Sequence, residues 1–271
     1  MDIPILYEDE HLLVIDKPYG VVVNKADTTD QPTIQDWANE KIKNQKSTIK
    51  DIHGDFVHRS GIVHRLDKDT SGALLIAKTA DIFALLQLQF AQRTVSKTYL
   101  TLVYGHLPSP SGSIELPIGR LPWNRHQFGV IPDGKPARTN YQVLETFVYP
   151  SYAGPDRNRE QLRWVDTETN RSFFSIKPER FSYLNVKPET GRTHQIRVHL
   201  KYLGHPVVGD ETYGARKRKP KDELFIPRMF LHAHMIEFVH PGKKEPVRVV
   251  SPLASDLFAV LRQLRLHNNS V

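Results

Sequence analysis

The chain has 271 residues, 39% of them hydrophobic and 25% charged, which suits one large domain or two small ones. Its 37 Lys and Arg outnumber 30 Asp and Glu, and the net charge of +7 favours a polyanionic partner, nucleic acid before an anionic membrane. The absence of cysteine excludes disulfides, thiolate zinc sites and cysteine nucleophiles together. No segment approaches the roughly 18 apolar residues of a membrane helix, and the acidic start from Asp2 shows no signal peptide, so a cytoplasmic protein is expected.

In chain order, "ILY", "HLLVID" and "GVVVN" read as short strands, separated by "EDE" and by the Pro-Gly turn signal in "KPYG". Ile34, Trp37, Ala38 and Ile42 then fall near helical spacing. Residues 45–60 are polar and basic and read as a loop. "GIVHRLDKDTSGALLIAKT" follows, a charged stretch between two apolar runs. "TADIFALLQLQFAQR" predicts a helix with Thr79 at its N-cap and Ile82, Leu85, Leu86 and Phe90 on one face. "VSKTYLTLVYG" is rich in β-branched and aromatic residues and reads as a strand. "IELPIG", "QFGVIP" and "ARTNYQVLETF" suggest further strands.

The pattern breaks between about 149 and 180, where "LRWVDTETNRSFFSI" reads as a polar-turned hairpin. "RFSYLNVKPE" is a strand, "TGRTHQIRVHLKYLG" a helix and "ARKRKPKDE" a basic loop. "MFLHAHMIEFVHP" and "PVRVVSP" read as strands, and "SDLFAVLRQLRL" as a terminal helix capped by Ser255 or Asp256. Strands outnumber helices without alternating with them, which predicts an α+β fold with a largely antiparallel sheet. No repeat or linker divides the chain. Residues 1–271 are expected to form one domain with an insertion at about 149–180.

The charged stretch holds the chemistry. Arg65 and Lys68 flank Asp67, and nearby positive charge favours the ionised carboxylate, which can serve as nucleophile or base. The plain alternative is a polar loop whose Asp69-Thr70-Ser71 satisfies turn backbone groups. Asp67 and Asp69 also share the Asp-x-Asp spacing of aspartyl-phosphate enzymes, but His64 and Arg65 interrupt the apolar strand such a nucleophile follows. Among thirteen histidines, His232 and His234 share a strand face. Without cysteine a zinc site needs three or more His or carboxylate ligands, and no such spacing stands out, so no metal is expected. "TGRTHQIRVHL" is dense in cations. As a helix it places Arg197 beside the apolar face of Ile196 and Leu200, where a buried guanidinium needs an anionic partner such as Asp67. Arg192 lies in the preceding turn, toward solvent or phosphate. Lys97, Tyr99 and Thr101 share one strand face, toward a cleft, solvent or another layer, while Thr98, Leu100 and Leu102 form the core face.

"HRLDKDTSG", "SKTYLTLVYG", "GKPARTNYQVLE", "TGRTHQIRVHLKYLGHPVVGDETYG" and "LHAHMIEFVHP" stand in the order found in RluA-type pseudouridine synthases, which the chain resembles from about Ile5 to Pro252. The resemblance implies a mixed, mostly antiparallel central sheet flanked by helices and loops, with the active site in a basic cleft. It implies that Asp67 is the catalytic aspartate. Tyr99 matches the tyrosine that stacks on the base and helps remove the C5 proton, and Arg197 the arginine paired with the aspartate. Arg65 matches a position that fills the gap left by a flipped nucleotide, and His64, Lys97 and Arg192 are expected with it as RNA-binding residues.

The implied reaction isomerises uridine in structured RNA, rRNA or tRNA. The N1–C1′ bond breaks, the base rotates and C5 joins C1′, with no redox step or group transfer and hence no cofactor. Asp67 either attacks C1′ or acts as a base on a route through a glycal. The base must leave its stack, at a cost of a few kcal/mol, while Lys and Arg hold phosphates. RNA is the expected partner, with no membrane and no obligate protein partner. Two departures are visible. The N-terminal S4-like domain of many members is not seen, and the stretch 149–180 is longer than the usual connection. That stretch and "ARKRKPK" are expected to supply replacement RNA contacts.

Overall fold

Leu12, Leu13, Val14 and Ile15 are all fully buried, so their strand is packed on both faces. Period-two alternation divides them: Leu13 and Ile15 join one apolar cluster, Leu12 and Val14 another. The computed structural model describes residues 1–25, 30–43, 54–149, 163–166, 171–174, 179–214 and 226–268. Within them the strands are β1 (Ile5–Glu8), β2 (Leu12–Lys17), β3 (Ser71–Ala77), β4 (Ser96–Tyr104), β5 (Ser111–Glu115), β6 (Ile118–Leu121), β7 (Asn124–Val130), β8 (Arg138–Tyr149), β9 (Arg163–Asp166), β10 (Arg171–Phe174), β11 (Glu179–Pro188), β12 (Leu231–Val239) and β13 (Pro246–Val250). The helices are α1 (Ile34–Lys43), α2 (Asp55–Arg59), α3 (Ala80–Ala91), α4 (Gln195–Tyr202) and α5 (Ser255–Asn268).

Nine strands form the central sheet in the order β1-β2-β3-β12-β4-β11-β8-β5, with β13 paired to β12. The β3–β12 pairing is parallel and the others are antiparallel. This is the mixed, mostly antiparallel α+β architecture expected. One sheet face carries α1 and α4, through Ile34, Ala38, Ile196 and Leu200. The other carries α3, through Ile82, Phe83 and Leu86, and α5, through Leu257, Val260, Leu261 and Leu264. β6 pairs with β7 and β9 with β10 as separate antiparallel hairpins, the second matching the polar-turned hairpin expected there. No helix among the described residues is long and apolar enough to cross a membrane.

Some local expectations change. "GVVVN" is not a strand: the carbonyls of Val22 and Val23 accept from the backbone N–H groups of Ile34 and Gln35, so it caps the start of α1 instead of pairing sideways. Asp55–Arg59 is helical where a loop was expected, because Phe56 is drawn into the core beside Phe83. On α3, Phe83 takes the buried place given to Leu85, which is 46% exposed. α4 begins only at Gln195. Ser255 is the first residue of α5, so neither expected residue is its N-cap; the Asp256 carboxylate accepts from the Leu257 N–H and pairs with Arg228. Leu100 and Leu102 are core as expected, but Tyr99 on the opposite face is buried too, against the α1 and α4 layer. Most of the stretch 149–180, expected to be an insertion, the basic "ARKRKPK" and residues 44–53 lie outside the described residues.

The parallel β3–β12 pairing needs one glycine. Gly72 has φ of 114°, and a Cβ there would lie 2.3 Å from the Ala233 carbonyl oxygen of β12. Gly72→Ala should therefore force the two strands apart and cost about 2 kcal/mol or more. Urea unfolding of the purified variant checks this through its midpoint.

Candidate active site

The loop between Val63 and β3 carries Asp67 at its apex. Leu66 anchors it in the core, 4% exposed, and the Thr70 N–H closes a turn onto the Asp67 carbonyl. Beneath it lies Lys17, the last residue of β2 and fully buried. Its ammonium donates to the carbonyls of Pro18 at 2.8 Å, Lys68 at 3.1 Å and Thr70 at 2.8 Å. The Gly20 N–H also donates to the Lys68 carbonyl. The "KPYG" turn thus clamps the backbone on both sides of Asp67. Burial pulls the Lys17 pKa down to about 7, against the opposing charges of Asp69 and Asp67. Asp69 therefore balances charge below the loop.

Asp67 Oδ2 lies 3.4 Å from Nη1 of Arg197, on the first turns of α4. Arg197 has a stronger partner than the one expected. Its Nε and Nη2 donate to the two carboxylate oxygens of Asp210 at 2.7 and 2.9 Å. Asp210 Oδ1 also accepts from the N–H groups of Thr212 and Tyr213. The guanidinium lies over the Tyr213 ring, 4.9 Å from its centroid. Burial works against the charge on Arg197, but the Asp210 bonds and the charges of Asp210 and Asp67 outweigh it and raise its pKa. A bidentate, buried pair leaves Arg197 little freedom, so its remaining edge is aimed at Asp67.

Asp67, Tyr99 and Arg197 meet in one small cavity of about 100 Å³, also lined by Thr70, Pro188 and His194. Burial, then the charge of Asp67, pushes the Tyr99 pKa up, so it stands as a neutral phenol. Arg65, Lys97 and Arg192 line this cavity and also a much larger groove of about 1220 Å³ beside it. Arg59 and Arg93 line the groove further out. Among the described residues, Arg59, Arg65, Arg93 and Lys97 have no acidic partner. Lys97 is half-buried, and burial lowers its pKa.

His64 lines the groove, but its ring is committed to the fold: Nε2 accepts from the Leu75 N–H at 3.0 Å and the ring stacks on Phe90. His232, one of the pair considered for zinc, has Nδ1 on Ser71 Oγ and Nε2 on Ser251.

A family model described as RNA pseudouridylate synthase matches residues 11–202, a stretch that holds the Asp67 loop, β4 and α4. The chain belongs to this family. Ribosomal large subunit pseudouridine synthase D of Nitrosomonas europaea is 37% identical over 264 residues, covering 96% of this chain and 65% of that protein. An uncharacterized RNA pseudouridine synthase of Bacillus subtilis is 35% identical over 265 residues, covering 98% and 74%. Among solved structures, human RNA pseudouridylate synthase domain containing 1 superposes with a TM-score of 0.63 at 27% identity, over 97% of this chain and 95% of that one. The chain thus spans about two thirds of the length of its bacterial synthase D relative and nearly all of the human domain.

Asp67, Tyr99 and Arg197, singled out in the sequence, line one cavity, but their supports were missed: Lys17, His194, Asp210 and Tyr213. All but Lys17 sit within the "GRTHQIRVHLKYLGHPVVGDETYG" block, and the signal was an acid just beyond a cation-rich helix. Lys17 sat unweighed in "DKP".

The commitment of His64 has a pH consequence. Burial, and then the charge of Lys97, lowers its pKa from 6.5 to about 3. In the folded protein the ring stays neutral while the unfolded chain takes up a proton near 6.5, so stability falls as pH drops from about 6.5 toward 3. The thermal midpoint should drop between about pH 7 and pH 5, and His64→Gln should show a smaller drop by calorimetry.

Proposed function

We propose that this chain isomerises uridine to pseudouridine at defined sites in structured RNA, rRNA or tRNA. The observation that carries the reading is the Asp67 carboxylate set beside Arg197 in a small cavity that opens onto a groove lined by Arg59, Arg65, Arg93 and Lys97, which have no acidic partner among the described residues. The groove holds phosphates and the cavity takes the flipped uridine. Its partners are salt-sensitive, sequence-independent contacts, which suits a protein that must hold RNA while one base leaves the stack.

In this reading Asp67 works at the ribose, Tyr99 packs on the base as a phenol beside C5, and Arg197 holds the carboxylate in register. Arg65 reaches into the space that the base vacates. Lys97 and Arg192, at the rim shared by cavity and groove, take the phosphates flanking the target, while His64 supports the rim from behind. The products of bond breaking stay in the cavity: N1 gains a proton, C5 loses one, and C1′ changes partner from N1 to C5. No electron acceptor or transferred group enters the balance, so the reading requires no cofactor. It treats residues 1–271 as one catalytic domain acting in the cytoplasm without an obligate protein partner.

The hairpin β6–β7 supports an RNA surface beyond the groove. Trp123 at its turn is 78% exposed and is flanked by Arg120, Arg125 and His126. Exposed aromatic and cationic side chains together suit unpaired bases.

Incubation of the purified protein with unmodified rRNA and tRNA transcripts, followed by pseudouridine mapping, tests the activity. Asp67→Asn should reduce product formation by at least about 10³-fold while RNA affinity stays within a few-fold. Equal product from the variant would remove Asp67 from the chemistry, and RNA binding with no pseudouridine from the unaltered protein would replace this reading with that of an RNA-binding factor lacking the chemistry.

A further inference from the structure

His194 lines the pocket beside Asp67, and the reaction above gives it no task. It sits at the N-cap of α4 with φ of 56°, in the left-handed region, and its side chain is about one-fifth exposed. Its Nδ1 lies 2.8 Å from the Tyr213 hydroxyl, and its Nε2 lies 4.0 Å from Asp67 Oδ2. The Phe128 ring meets the imidazole edge to face at 5.8 Å and fixes the ring plane from the β7 side.

Hydrogen-bond accounting assigns the proton on this ring. The Tyr213 hydroxyl oxygen accepts from the Phe128 N–H at 3.0 Å. Tyr213 is 2% exposed, and among the described residues its hydroxyl has no acceptor other than His194 Nδ1. A buried hydroxyl proton without an acceptor is costly, so the Tyr213 O–H donates to Nδ1. Nδ1 is then an acceptor, and the proton of the neutral ring resides on Nε2. Burial favours that neutral form and lowers the His194 pKa, with the charge of Asp67 opposing. The order Phe128 N–H to Tyr213 O–H to Nδ1 thus leaves an Nε2–H facing the cavity. At 4.0 Å from the carboxylate it makes no hydrogen bond to Asp67.

A donor and an acceptor separated by this distance define the group that fits between them. It must accept from Nε2–H and donate to Oδ2, and two hydrogen bonds of about 2.8 Å meeting near a right angle span about 4 Å. A hydroxyl does both; a carbonyl cannot donate, and an ammonium cannot accept. We infer that His194 and Asp67 together bind the 2′-hydroxyl of the target ribose, with His194 Nε2–H as donor and Asp67 as acceptor. The inference rests on the uridine reading of the cavity and deepens it. The 2′-hydroxyl is on the carbon next to C1′, so this contact places the reacting carbon beside the carboxylate. It is also the group that separates RNA from DNA at a single nucleotide. His194 is therefore a substrate-binding and specificity-determining residue.

The test uses RNA oligonucleotides spanning a uridine that the unaltered protein converts, made with either ribose or 2′-deoxyribose at that one position. Affinities are measured for the unaltered protein, His194→Gln, His194→Asn and Tyr213→Phe. The unaltered protein should bind the ribose form about 3- to 10-fold tighter. His194→Asn should lose that preference, because its short amide mimics Nδ1 and cannot reach the Nε2 position. His194→Gln, whose amide nitrogen reaches further, should keep part of it. Asn accepts left-handed backbone more readily than Gln, so a loss in the Asn variant with retention in Gln is not backbone strain. Tyr213→Phe frees the imidazole to place its proton on either nitrogen and should weaken the preference without altering His194. An unchanged ribose preference in the Asn and Phe variants, with pseudouridine still formed by the unaltered protein, would overturn the inference and leave the uridine reading standing. No pseudouridine from the unaltered protein would overturn both.

Discussion

The site depends on one guanidinium held by two carboxylates. Arg197 is locked by Asp210 on one edge and offers the other edge to Asp67. Such a buried pair contributes little net stability, because desolvation of the two charges offsets their attraction. Its value is geometric. Asp210 is itself tied to two backbone N–H groups, so the chain of bonds ends in main chain and not in solvent. Arg197 is then a fixed reference against which the Asp67 carboxylate is set. Losing either end would leave an uncompensated buried charge, which is far costlier than the pair is worth.

The rest of the architecture brings that reference to the Asp67 loop. The β3–β12 contact at Gly72 brings the end of the loop into the sheet, and Lys17 ties its carbonyls to β2. β4 brings Tyr99 under the same face, and α4 lies over it with His194 at its N-cap and Arg197 on its first turn. Four separate stretches thus converge on a cavity of about 100 Å³. Three cations, Arg65, Lys97 and Arg192, stand on its rim, where cavity and groove meet. The electrostatics therefore grade from a balanced, buried interior to a cationic rim, where Arg65 and Lys97 have no acidic partner among the described residues. That gradient steers a polyanion to the rim, while the pocket itself stays selective.

Much of this was legible in residue patterns, for a definite reason. Strands β2, β4, β8, β11 and β12 are dense in β-branched and aromatic residues, and α1 and α3 show their periodicity, so local signals suffice for them. "GVVVN" looks equally strand-like, yet its partners are the first turn of α1 instead of another strand, and composition carries no information about partners. The Asp67 loop by itself stayed ambiguous between a turn and a reactive carboxylate. Asp67 and Arg197 lie 130 residues apart, a distance no local period spans. The need of a buried guanidinium for an anion made Asp67 one candidate partner, and the ordered blocks that resemble a family made it the expected one. The dominant Arg197–Asp210 pair was closer in sequence but was not anticipated, because it forms only when the chain turns back after α4. The place of Lys17 was equally hidden, since its partners are carbonyls, and carbonyls leave no trace in side-chain chemistry.

Asp210 does not line the cavity, so any effect of its loss on the reaction must pass through Arg197. The direct measurement is the single-turnover rate of pseudouridine formation by Asp210→Asn at saturating RNA, with RNA affinity measured in parallel. Asparagine keeps the size but removes the charge that locks Arg197. The rate should be at least about 10²-fold lower with affinity changed by less than a few-fold, as a displaced catalytic group requires. A rate equal to that of the unaltered protein would contradict it.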